Sequence, residues 1–184
     1  MQGLEQVIQV LSMGGVCVVP TDTVYGITAC ARNKDAVERV YHCKRRSSTK
    51  PCIVLIDKLE QLAGFGVILN SYQRGVCDTM WPGPVTLVLS VLREGETLDW
   101  LHRGSLSIGF RLTADPVIQS IVAEVRPIIA PSANPQGSPP ATTAEDARRY
   151  FGNSVDYYVD GGVCDTKPST VISLESASCT VLRE

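Results

Sequence analysis

The sequence predicts a mixed α/β (α+β) domain: a mixed β-sheet covered by helices. Three observations predict it. Segments with apolar residues at helical spacing are interspersed with short runs of apolar and β-branched residues. Some of those runs adjoin with no helix between them, which argues against a purely parallel, doubly wound sheet. No linker, repeat or low-complexity tract divides the 184 residues, so one domain spanning 1–184, without a further C-terminal domain, is expected.

Leu4, Val7, Ile8 and Leu11 keep helical spacing, and Gly14-Gly15 ends that helix. Strands are expected at 16–19 and around 25–31. Asn33 can cap a helix from Lys34 to about Cys43, with Ala36, Val37, Val40 and Tyr41 on one face. Cys52–Ile56 reads as a buried strand, Asp57–Ala63 as a short helix and Ser71–Met80 as another. "WPGP" at 81–84 is a stiff turn that no helix survives. Strands follow at Val85–Val91 and Leu106–Phe110. Pro116 suits the first position of a helix running to about Glu124. Pro127–Ala130 is a short strand, and Thr142 or Thr143 starts a helix to Tyr150. The last strands lie near Tyr157–Val159, Thr170–Leu174 and Cys179–Leu182.

Hydrophobic residues make up 44% of the chain, enough for a proper core, so disorder is excluded. The formal net charge of −2 argues against broad, sequence-blind nucleic-acid binding, leaving room only for a local basic patch. Seven cysteines occur with no CxxC pair and only His42 and His102 as partners, so zinc-site spacing is absent and no protein-borne metal site is expected. Several cysteines sit inside apolar runs and read as buried thiols of a reducing compartment. No targeting segment or membrane-length apolar run is visible, so a cytoplasmic location without membrane contact is expected.

Four polar stretches each fall at a strand end, where helix-and-sheet folds bind ligands. The first is "PTDTVYG" at 20–26. If the chain stays extended there, Thr21, Thr23 and Tyr25 share one face, with Asp22 and Val24 on the other. An edge strand rich in threonine reads the same way. The second, "KRRSSTK" at 44–50, carries Lys44, Arg46 and Lys50. It is either a solvated helix C-terminus or a cationic loop for phosphate or carboxylate. In the third, "APSANP" at 130–135, an extended backbone would put Ser132 and Asn134 on one face, able to hold a phosphate oxygen; a proline-rich turn is the alternative. The fourth, "KPSTVI" at 167–172, starts a strand with Ser169 and Thr170. The chain has no GxxxxGK[ST] loop, no GxGxxG turn, no GxSxG elbow and no Ser-His-Asp set.

Taken in order, these stretches resemble the YrdC-like threonylcarbamoyl-adenylate synthases. "PTDTVYGI", Lys44-Arg45-Arg46 with Ser132-Ala133-Asn134 (a KxR…SxN signature), "WPGPVT" and "STVI" match that family's motifs from about residue 4 to residue 175. The resemblance implies a three-layer fold around a twisted mixed sheet with a concave, positively charged face. It implies synthesis of threonylcarbamoyl-AMP and pyrophosphate from L-threonine, bicarbonate and ATP, with Mg2+ accompanying ATP. A separate transferase complex would pass the product to tRNA, and weak direct RNA contact is compatible with it. Thr21, Thr23, Tyr25 and Arg111 would line the threonine site. Lys44 and Arg46 would be catalytic and, with Lys50, Ser132, Asn134 and Ser169, would bind ATP. Ser47, Thr113 and Ser173 stand where the family usually has proline, proline and aspartate, which bears on loop geometry. Two other readings use the same motifs: a relative that adenylates carbamoyl phosphate, and a non-catalytic RNA-binding or ribosome-maturation factor.

Overall fold

The computed structural model describes residues 3–92, 98–175 and 178–183. Its helices are α1 (Leu4–Ser12), α2 (Lys34–Lys44), α3 (Ser71–Met80), α4 (Asp99–His102), α5 (Pro116–Val125) and α6 (Ala144–Phe151). Its strands are β1 (Cys17–Val19), β2 (Gly26–Cys30), β3 (Ile53–Ile56), β4 (Val85–Ser90), β5 (Ser107–Leu112), β6 (Ile128–Ile129), β7 (Tyr157–Tyr158), β8 (Thr170–Ser173) and β9 (Thr180–Arg183). Most sequence-expected elements recur within two residues. The helix expected over Asp57–Ala63 is instead a 3-10 segment at Leu59–Phe65, and α4, four residues long, is too short for periodicity to reveal. Among the described residues no helix is long and apolar enough to cross a membrane.

The strands form one sheet in the order β7-β1-β2-β6-β3-β5-β4-β8-β9. It is mixed: β1/β7, β3/β5 and β4/β8 pair parallel, and the other neighbours pair antiparallel. Alternation along each strand divides the apolar residues between two cores. Val18, Val54, Ile56, Leu87 and Phe110 face one side, where α2, α3, α4 and α6 contribute Val37, Val40, Cys77, Leu101 and Phe151. Cys17, Val19, Leu55 and Ile128 face the other side, under Val7 and Leu11 of α1 and Ile118, Ile121 and Val122 of α5. The result is three layers.

The second core contains no residue of β4 or β8. Among the described residues its sheet face is therefore covered by α1 and α5 at one end, with no helix of that core over β4 and β8 at the other. Register sets what stands there: Leu55 of β3 pairs with Arg111 of β5, so Arg111 continues the same face beyond the helical layer.

Two helix ends matter for the site. Asn33 caps α2 by accepting from the Ala36 N–H at 3.0 Å, as its sequence position suggests. Arg45 closes the helix in the left-handed conformation, with φ 48°. Lys44 extends the buried stripe Val37, Val40, Tyr41, so the periodicity that buries the helix also aims this ammonium inward.

Candidate active site

A cavity of about 180 Å³ opens on the uncovered sheet face. It is lined by Thr21, Thr23, Val24 and Gly26, by Ile53, Leu55 and Arg111, and by Ala130, Pro131 and Ser132. Arg46, Pro140, Pro168, Ser169 and Arg183 complete it. All four polar stretches thus converge, and six of the residues singled out from sequence line one space: Thr21, Thr23, Arg46, Arg111, Ser132 and Ser169.

The chain does not stay extended after β1. The Thr21 hydroxyl accepts from the Thr23 N–H at 3.1 Å and donates to the Val24 carbonyl at 2.7 Å, which folds residues 21–24 into a turn. Because its one proton goes to Val24, the 3.0 Å contact between Thr21 and Thr23 Oγ1 is donated by Thr23. Thr23 Oγ1 in turn accepts from Arg111 Nη1 at 3.1 Å. The turn corrects the extended reading in two ways. Tyr25 lies in the core, with its hydroxyl donating to the Gly162 carbonyl at 2.8 Å and accepting from the Gly161 N–H at 2.9 Å. It pins the 159–169 segment instead of walling the cavity. Asp22, placed by alternation on the opposite face, swings round to form an ion pair with Arg111 Nη2.

Lys44 and Asn134 stand directly behind the cavity wall. Lys44 Nζ donates to the carbonyls of Ser132 and Asn134 and to Asn134 Oδ1, the last two at 2.7 and 3.3 Å. The Ser132 hydroxyl donates to Asn134 Oδ1 at 2.6 Å, and the Asn134 amide donates to the Ser138 carbonyl at the same length. The segment bends, with the Asn134 N–H bonded to the Ser132 carbonyl at 3.0 Å, so it follows the turn alternative and not the extended one, and only Ser132 faces the cavity. Burial, then the nearby Arg46 charge, push the Lys44 pKa down to about 7.

Arg46 donates to the carbonyls of Pro51 and Lys50, at 2.8 and 3.4 Å, and keeps its remaining donors for the cavity it lines. The Lys50 side chain departs from its assigned place: it is exposed and not among the lining residues, while its carbonyl is shared by Arg46 and the Tyr41 hydroxyl. Ser47, in place of a proline, has an N–H to give, and it donates to Gln136 Oε1 at 3.0 Å. That bond ties the cationic loop to the turn following Asn134.

On the far wall, Ser169 is held by Thr86, the threonine of "WPGPVT", with hydroxyl oxygens 2.9 Å apart. Arg183 of β9 donates to the Ser169 carbonyl through Nη2 at 2.8 Å. Sequence reading missed Arg183 and Asp22. A lone arginine four residues into a terminal strand carries no local signal, and Asp22 shows itself only once the turn is known.

Arg46, Arg111 and Arg183 make the cavity cationic, with Lys44 behind it. Asp22 is the one carboxylate among the described residues lining this cavity and its neighbour, a space of about 560 Å³ that shares Thr23 and Pro168. Among the described residues no cluster of three His, Cys, Asp or Glu exists to hold a metal. The donors suit phosphate and carboxylate, not a resident cation. The cysteine reading needs one correction: Cys17, Cys52 and Cys77 are buried, Cys30, Cys43 and Cys164 are half-buried, and Cys179 is exposed on its way into the edge strand.

Comparison with known proteins follows the same outline. The Sua5_yciO_yrdC family model, described as "Telomere recombination", matches residues 9–184. A protein of Hahella chejuensis named threonylcarbamoyl-AMP synthase is 33% identical over 183 residues, covering 98% of this chain and 97% of its own. The crystal structure of Pyrococcus abyssi Sua5 complexed with L-threonine superposes with a TM-score of 0.89 at 30% identity, over 98% of this chain. This chain spans about half the length of that protein, 53%. E. coli YciO shares the fold, with a TM-score of 0.87 at 24% identity over 98% of this chain and 88% of its own. The family match over residues 9–184, the 33% identity across nearly the whole chain and the shared fold agree: this chain belongs to the Sua5/YciO/YrdC family.

Proposed function

We propose that this chain is a threonylcarbamoyl-AMP synthase, a nucleotidyltransferase making threonylcarbamoyl-AMP and pyrophosphate from L-threonine, bicarbonate and ATP. The observation that carries it is the joining, in one small cavity, of an amino-acid-type corner to a phosphate-type corner. Arg111, Thr21 and Thr23 supply donors and acceptors for a carboxylate and a hydroxyl. Arg46, Arg183 and Ser169 supply donors for phosphate, beside Ser132, whose own proton is given to Asn134. The named relatives support the reading.

The chemistry needs no covalent enzyme nucleophile. The threonine ammonium gives up a proton to solvent, the free amine attacks the bicarbonate carbon and water leaves to give a carbamate, and a carbamate oxygen attacks the α-phosphorus as the bond to pyrophosphate breaks. The protein contributes positioning and fixed cations facing charge that develops on phosphate. At about 180 Å³ the enclosed space takes the amino acid and the reacting phosphate. The rest of ATP would extend beyond it, since nucleotide-sized ligands need roughly 300 Å³ or more. Mg2+ would arrive on the ATP phosphates and neutralise them; the described residues offer it no carboxylate cluster. The product would pass to a tRNA threonylcarbamoyl-transferase complex in the cytoplasm.

The test is pyrophosphate release by RNA-free protein with each component omitted in turn. Release is expected only with ATP, threonine and bicarbonate together. Release that persists without threonine but requires carbamoyl phosphate would assign the other adenylating reaction. No release under any combination, with tight ATP-independent binding of duplex RNA, would refute the enzyme reading.

A further inference from the structure

We propose that Asp22 recognises the substrate's ammonium group, and that the amino acid enters as a zwitterion inserted across the Asp22–Arg111 ion pair. The inference rests on the synthase reading and adds a specificity residue to its amino-acid corner. Arg111 is deeply buried, its side chain 6% exposed, and lines the cavity, while Asp22 is 22% exposed and lines the neighbouring space that shares Thr23 with it. Three of the five guanidinium donors are engaged: Nε by the Gly83 carbonyl at 3.2 Å, Nη1 by Thr23 at 3.1 Å and Nη2 by Asp22. Donors thus remain for an incoming carboxylate, but Asp22 stands beside them.

Charge decides what can enter. A ligand with only a carboxylate must displace Asp22 or lie against it, leaving a partly buried anion without its partner. A ligand with only an ammonium meets the Arg111 charge. Both arrangements leave charge uncompensated away from water, which costs far more than a surface pair returns. An α-amino acid carries both charges on one carbon. Its carboxylate pairs with Arg111 and its ammonium with Asp22, so every charge stays matched. The Thr21–Val24 turn is what makes this possible, because an extended chain would carry Asp22 to the opposite face from Thr21 and Thr23.

Calorimetric titration of wild type and Asp22→Asn tests it, using L-threonine, L-threonine methyl ester and 3-hydroxybutyrate. The ester keeps the ammonium without the carboxylate, and 3-hydroxybutyrate keeps the carboxylate without the amine. Wild type is expected to bind threonine at least tenfold more tightly than either analogue. In Asp22→Asn, threonine affinity is expected to fall roughly 30-fold, while 3-hydroxybutyrate binds as before or better. ATP binding reports that the variant is folded. Undiminished threonine affinity in Asp22→Asn overturns the proposal. So does an equal loss for threonine and 3-hydroxybutyrate, which would mean that Asp22 merely holds Arg111 in place. If wild type ignores threonine but binds another α-amino acid with the same Asp22 dependence, the synthase reading falls and the zwitterion proposal stands. If it binds no α-amino acid, both fall.

Discussion

The Nζ of Lys44 lies 2.7 Å from the carbonyl oxygen of Asn134, ninety residues away, and this contact joins the end of α2 to the turn that carries Ser132. A neutral amine has two N–H groups, whereas Lys44 faces three acceptors, so only the ammonium form can donate to all three at once. On the proposed function, Lys44 would act on phosphate through its charge and by holding the turn that carries Ser132.

Removing Lys44 takes its donor from the buried Asn134 carbonyl, while the Ser132 carbonyl keeps the Asn134 N–H and Asn134 Oδ1 keeps the Ser132 hydroxyl. Lys44→Ala is expected to lower the melting temperature, since each buried polar group left unpaired costs about 1–3 kcal/mol. It is also expected to cut adenylate synthesis at least ~100-fold. Pyrophosphate release measured beside a thermal melt checks both, and near-normal synthesis by a folded variant would refute the assignment.

The depressed pKa of Lys44 has a consequence for ATP. In the free protein the group titrates at about 7. Bound phosphates bring negative charge and raise that value. ATP affinity is then complete below the free value and declines as pH rises through the bound one. Binding near pH 8 is expected to take up a proton. Calorimetry in buffers of different ionisation heat reads the uptake directly, and an affinity that stays flat from roughly pH 6 to 9 counts against it.

Arg183 sits on the edge strand β9, whose residues are exposed, so its removal spares the core. Arg183→Met is expected to keep the fold while lowering kcat/KM for ATP roughly 10- to 100-fold, the worth of one charge-assisted hydrogen bond at about 1.5–3 kcal/mol. Steady-state kinetics with threonine saturating test this. Unchanged kinetics would mean that Arg183 only ties β9 to Ser169.

The cysteines are expected to be bystanders. Burial pushes Cys17 up to about 12 and Cys77 up to about 11, which leaves almost no thiolate at neutral pH. Iodoacetamide is expected to label Cys179 first and leave synthesis largely intact. Mass spectrometry paired with the pyrophosphate assay measures it. Rapid inactivation that ATP prevents would point instead to Cys164, whose thiol lies 3.4 Å from the Thr21 carbonyl.

By itself the sequence determined the order and kind of the elements, the Asn33 cap and the mixed character of the sheet. It also showed that four polar stretches end strands. Those features are local: spacing decides which side of a helix or strand meets the core, and turn residues decide where it stops. What lay outside its reach were the directions of side chains in turns. Hydroxyl-to-backbone bonds inside Thr21–Val24, and a guanidinium arriving 88 residues later, turned Asp22 inward and left Tyr25 in the core. Arg183 reached Ser169 only because β9 pairs antiparallel with β8 at the sheet's edge. Contacts between residues distant along the chain set these directions, and no local pattern encodes them.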